Sequence, residues 1–236
     1  MILEVCANSY ESAINAEKGG AHRIELCENL SVGGLTPNFE LAKKVINELN
    51  IPVFILIRPR GGNFIYSNEE FEQIKKDIIL FKKIGCKGIV SGILTKNKKL
   101  DINKTKELIK LSRPLEFTFH RAFDEVLNPI NVLHQLIKLR ADRILTSGQK
   151  KTAIDGIELI KKLINHCLQL NIVYRTKDGK YVFAIKSEFL KQFKDIDRKL
   201  RDVILKHLRK EDICLLRGTA THKGEVHSFR FGIVGS

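Results

Sequence analysis

Six times within its first 168 residues this chain passes from a short β-branched run to a longer segment of helical periodicity, and that rhythm limits its fold more than any other feature. The strand-like runs are 2–6, 22–27, 52–58, 87–91, 115–120 and 142–146; the helical ones are 9–19, 38–49, 68–84, 101–112, 128–139 and 152–168. Regular alternation of this kind implies parallel strands joined by helical crossovers. Helix starts carry matching chemistry: Thr36-Pro37 precedes the second helix, Ser67 with Glu70 the third, Asp101 the fourth and Asn128-Pro129 the fifth. Such residues satisfy or replace the free N–H groups of a first turn. A doubly wound open sheet would alternate in the same way, but no GxGxxG follows the first strand and no GxxxxGK[ST] occurs. We therefore expect one α/β domain over 1–236, a TIM-like (β/α) barrel with regular units over 1–168 and a divergent segment over 169–236.

Beyond Cys167 the rhythm breaks. Asp178-Gly179 sits between two alternating runs and predicts a hairpin or irregular segment over 171–186. Apolar residues from Phe189 to Leu208 share one helical side and predict a long helix over 188–209. ICLLRG at 213–218 reads as a last strand, and the tail from Gly218 has no pattern of its own. A barrel without a regular seventh or eighth strand would expose edges and favour self-association.

A hydrophobic content of 43% is ample for a core. No apolar run approaches the roughly 18 residues of a membrane span, and no signal sequence precedes Ile2, so the expectation is a soluble cytoplasmic protein with no membrane partner. Five cysteines without a CxxC pair argue against a disulfide scaffold and a structural zinc site. The net charge of +14 invites a nucleic-acid reading. About half of that excess, however, lies in 175–210, where 12 Lys or Arg stand against 5 Asp or Glu on a helix-like stretch. The remaining lysines alternate with glutamates and lack interleaved aromatics, which disfavours a nucleic-acid partner.

Chemistry gathers on the strands. Glu4 and Cys6 in the first strand, and Glu25 and Cys27 in the second, are each two residues apart and so share a face. If the strands are neighbours, two carboxylates and two thiols meet. Either thiol alone could equally be a small buried hydrophobe, whereas a buried glutamate needs a partner. RPRGG at 58–62 brings Arg58 and Arg60 to a glycine turn, a seat for an anion or for a salt bridge to Glu4 or Glu25. Alternation puts Glu116, Thr118 and His120 on one face of the fifth strand, with His120 toward the barrel mouth. Leu145-Thr146-Ser147-Gly148 closes the sixth.

The series LEVC, RIELC, GGLTP, IPVFILIRPRGGNFIYS, PLEFTFHRAFD and RILTSGQ resembles the CutC family, associated with copper homeostasis, over about residues 1–165. The resemblance implies a TIM-like barrel in the cytoplasm, often self-associating, that binds Cu(I) through cysteines falling on Cys6 and Cys27. The family's strand-end polar residues fall on Glu4, Arg23, Glu25, Arg58, Arg60, His120, Arg121 and Ser147. The chain departs from the family after Cys167: no PGGGI-like loop precedes Gly218, and Glu225-Val226-His227-Ser228 is only a shifted form of the closing E-x-H-x-S.

Two functions follow. In the first, Cys6 and Cys27 hold Cu(I), a soft ion suited to thiolates, and no other cofactor is evident. In the second, Glu4, Glu25 and His120 perform acid–base chemistry on a small anionic substrate bound by Arg23, Arg58, Arg60, Arg121 and Ser147. The residues leave open whether the protein is an enzyme.

Overall fold

A computed structural model describes residues 3–169 and the backbone of 180–184, 213–222 and 225–234. Six parallel strands, β1 (Leu3–Ala7), β2 (Arg23–Leu26), β3 (Val53–Leu56), β4 (Gly88–Ser91), β5 (Glu116–Phe119) and β6 (Arg143–Ile144), lie side by side in chain order. Between and after them run α1 (Tyr10–Lys18), α2 (Phe39–Glu48), α3 (Asn68–Lys83), α4 (Ile102–Ser112), α5 (Pro129–Lys138) and α6 (Ile157–Gln169). The result is a curled half-barrel of six β/α units, as the alternation implies. No helix among the described residues is long and apolar enough to cross a membrane.

Local chemistry starts the helices. Ser67 and Glu70 form a reciprocal capping box on α3, each side chain accepting the other's backbone N–H, at 3.2 and 2.8 Å. Asp101 caps α4, and Asn128 caps α5 with Pro129 in its first turn. At α2 the cap is Asn38, not the preceding Thr36-Pro37. Thr36 instead accepts the Arg58 N–H at 2.8 Å and ties the second loop to the end of β3.

Odd and even strand positions then separate two interiors. Val5, Ile24, Ile55, Ile89 and Phe117 face the helices and are buried with Val45, Ile74, Ile78 and Leu108, each such side chain contributing about 1.5–3 kcal/mol. The alternate positions of the same strands face inward, where Cys6, Cys27, Phe54, Leu56 and Val90 form a smaller apolar cluster. Gly88 is needed there, because a Cβ at that position would come within 2.4 Å of the Phe54 ring.

Two expectations need revision. β6 is only two residues long and α6 begins at Ile157, because Thr146, Ser147 and Gln149 turn away to bind Asp124. The tail from Gly218, for which no element was expected, belongs to two ten-residue strands, β8 (Ile213–His222) and β9 (Glu225–Val234), paired antiparallel along their whole length. β8 also pairs antiparallel with β1, where a regular barrel would bring a parallel strand. A further strand, β7 (Lys180–Ala184), lies parallel to β9. Of the hairpin or irregular segment expected over 171–186, residues 171–179 and 185–186 lie outside the described residues, as does the expected 188–209 helix.

Candidate functional site

The parallel register sets Glu4 beside Arg23 and Cys6 beside Glu25, so the two Glu-x-Cys segments are staggered by one inward-facing layer. Cys27, just past β2, is fixed by its backbone N–H bond to the Ala7 carbonyl at 3.0 Å. The stagger still leaves the Cys6 and Cys27 sulfurs 3.4 Å apart, both buried and neither in a disulfide. Leu56 and Val90 pack around them, and the loop after β2 closes over the pair. Gly34 makes that closure feasible: its φ is +85°, and a Cβ there would lie 3.4 Å from the Cys27 sulfur and 2.8 Å from Leu56. Cys86 and Cys167 are buried elsewhere, and burial pushes the Cys86 thiol up to about 11. Cys214 belongs to β8.

No cluster of three or more His, Cys, Asp or Glu with metal-binding geometry occurs among the described residues. The donor set is two sulfurs. That suits a soft ion of low coordination number and falls short of the four ligands of a structural zinc site.

Beside the thiols, at the C-terminal ends of the strands, lies a cavity of about 60 Å³. Cys6, Glu25, Arg58 and His120 contribute its polar lining; Leu56, Phe64 and Leu145 its apolar walls; Gly33 and Arg121 complete it. Glu25 is buried, its Oε2 has no hydrogen-bond partner, and burial pushes its carboxyl up to about 7. His120 accepts the Ala122 N–H on Nδ1 at 3.2 Å, so the neutral ring carries its proton on Nε2. That Nε2 is buried without a partner. Burial first, and then the Arg58 charge, hold the imidazole down to about 3, so it stays neutral. Its ring packs on Phe64 at 4.7 Å between centroids.

The arginines divide by role. Arg58 donates from Nη1 to the carbonyls of Val32 and Gly34 and from Nη2 to that of Gly62, binding two loops while keeping its charge at the cavity. Arg121 donates from Nε to Asp124 at 2.8 Å and from Nη2 to Ser147. Ser147 in turn sits against Asp124 and the Lys150 carbonyl, so it positions Arg121 at the rim and does not line the cavity. Arg60 turns away: it pairs with Glu70 at 2.5 Å and donates to the carbonyls of Gly61, Asn63 and Ile65.

Glu4 and Arg23 are also absent from the cavity. They pair with each other one layer below, toward the N-terminal ends of the strands. There Glu116 pairs with Arg143 and lies 3.9 Å from Arg23, and both guanidiniums sit over the Phe54 ring at 4.5 and 4.6 Å. Thus Cys6, Cys27, Glu25, Arg58, His120 and Arg121 converge, while Glu4, Arg23, Arg60 and Ser147 lie around them. Sequence reasoning missed Phe64 and Asp124. Asp124 was within reach, as an acidic residue three after Arg121; Phe64 is a loop residue whose place only packing decides.

The model of the CutC family matches residues 1–176. A human copper homeostasis protein cutC homolog is 49% identical over 163 residues, 69% of this chain and 60% of its own length. The chain thus spans less than two thirds of that relative. A CutC-family protein of Pasteurella multocida is 46% identical over 165 residues, 70% of this chain and 68% of its own. A crystal structure of CutC from Streptococcus agalactiae superposes with a TM-score of 0.71 at 28% identity, covering 88% of this chain and 95% of that one. A Toxoplasma gondii protein of the deoxyribose-phosphate aldolase type, TM-score 0.53 at 15% identity over 84% of each chain, shares the fold alone.

Proposed function

Because the chain belongs to the CutC family, we propose that it acts in copper homeostasis by holding Cu(I) between Cys6 and Cys27. The observation that carries this reading is the sulfur–sulfur distance of 3.4 Å in a site with no third ligand of comparable softness among the described residues. A metal–thiolate bond is about 2.3 Å long, so an ion can bridge sulfurs at this distance in a bent geometry. A linear site would ask them to part by about 1 Å more. Metal binding displaces the thiol protons, since the thiolate is the ligand. The reading includes a cytoplasmic location, where such thiols stay reduced.

Anaerobic Cu(I) titration against a competing chelator tests this. The wild type and a Cys86→Ser/Cys167→Ser/Cys214→Ser variant should bind one ion with equal affinity, and Cys6→Ser/Cys27→Ser should lose it. Unchanged affinity in the double variant would remove the copper site.

A second reading is favoured by the cavity. Glu25 Oε2 and His120 Nε2 are both buried without hydrogen-bond partners, beside two guanidiniums that a copper ion has no use for. On this reading the cavity takes a small anionic molecule, with Glu25 and His120 as its acid–base pair and Arg58 and Arg121 as its anion contacts.

A further inference from the structure

We infer that the cavity at the strand ends is built for a short 2-hydroxycarboxylate of two or three carbons, its hydroxyl bridging Glu25 and His120 and its carboxylate meeting Arg58 and Arg121. The inference rests on reading the cavity as a small-molecule site and names what that molecule is.

Charge comes first. Arg58 is 5% exposed, and its hydrogen bonds go to three carbonyl oxygens; no carboxylate among the described residues pairs with it. A buried guanidinium held only by neutral dipoles favours an anion from outside. Arg121 stands at the same cavity with its side chain about one third exposed, and its Nε and Nη2 are committed while Nη1 makes no hydrogen bond among the described residues. Two guanidiniums facing one opening select a carboxylate, which accepts from both.

Hydrogen-bond sense comes second. Deeper in the cavity, Glu25 offers an acceptor at Oε2, and His120, whose Nδ1 is occupied by the Ala122 N–H, offers a donor at Nε2. A hydroxyl is the small group that gives a proton to one and receives one from the other. A ketone oxygen can only accept, and a methylene can do neither, so an analogue without the hydroxyl leaves both buried groups unpaired.

Size comes third. A volume of about 60 Å³ is several times the roughly 10–15 Å³ that one water needs, and marks a site for a small molecule. Leu56, Phe64 and Leu145 wall it with apolar surface suited to a short carbon chain, with the carboxylate at the rim beside Arg121.

Isothermal titration with L- and D-lactate, glycolate, propionate and propane-1,2-diol, in the presence of a Cu(I) chelator, tests this without reference to copper. At least one lactate enantiomer or glycolate should bind about tenfold or more tighter than propionate, which keeps the charge, and than the diol, which keeps the hydroxyls. Arg121→Gln, at a partly exposed position, should weaken lactate and propionate alike; His120→Phe should erase the advantage of lactate over propionate. Propionate binding as tightly as lactate would overturn hydroxyl recognition while an anion site stands. Failure of every probe to bind would overturn the reading of the cavity as a small-molecule site.

Discussion

The barrel interior holds glutamate and arginine in two adjacent layers, and the layers treat them in opposite ways. In the lower one, at the strand starts, Glu4 pairs with Arg23 and Glu116 with Arg143, with Phe54 packed beneath both guanidiniums. In the upper one, at the strand ends, Glu25 has an oxygen without a partner and Arg58 binds only carbonyls. The lower layer has spent its charges on itself. The upper layer has kept its charges apart at the cost of stability, which is the arrangement a binding site needs.

The comparison breaks first at Arg23. Arg23→Met removes the guanidinium paired with Glu4, whose side chain is 1% exposed, and should cost about 3–5 kcal/mol in urea denaturation. Glu4→Leu/Arg23→Met, which removes both charges, should recover most of that loss. A single variant within about 1 kcal/mol of wild type would show the lower layer to be no more self-sufficient than the upper.

Glu25→Gln should act in the opposite direction. Burial raises the folded carboxyl to about 7 from an ordinary 4.5, so the folded chain holds this proton more tightly than the unfolded one. The penalty is absent below pH 4.5, grows as pH rises through the window and is complete above about 7, where it reaches about 3 kcal/mol. The variant should therefore be more stable than wild type at pH 8 and equal to it near pH 4. His120 runs the other way: held down to about 3, it contributes stability that is present above 6.5 and lost as pH falls toward 3. In wild type the two slopes oppose each other between pH 4.5 and 6.5. The glutamine variant, freed of one of them, should gain stability with pH across that window. A difference between variant and wild type that does not change with pH would count against an unpartnered Glu25.

The smallest effect belongs to the floor that both layers share. Gly88→Ala pushes a methyl into the Phe54 ring and should cost about 1–3 kcal/mol by overpacking. It should leave Cu(I) affinity as it is, because Phe54 and not the thiol pair must move. Loss of the copper site along with stability would mean the two layers are mechanically one.

Much of this architecture is local and was legible. The six units follow from periodicity, and Ser67 with Glu70 or Asn128 with Pro129 start helices through contacts within one turn. The start of β8 was legible in ICLLRG, but its continuation and its pairing with β9 were not, because the sequence from Gly218 carries little apolar bias and its strands are defined by their partner. The site divides along the same line. Period-2 geometry fixed that Glu4 and Cys6 share a face, that Glu25 and Cys27 share another, and that His120 points to the mouth. It could not tell the two glutamates apart, since both stand in the same Glu-x-Cys setting. What separates them is the register between β1 and β2, which levels Glu4 with Arg23 and Glu25 with Cys6. Side-chain direction is a property of one strand and is written in its sequence; which charges become partners depends on the offset between strands, and only the packed barrel sets that offset.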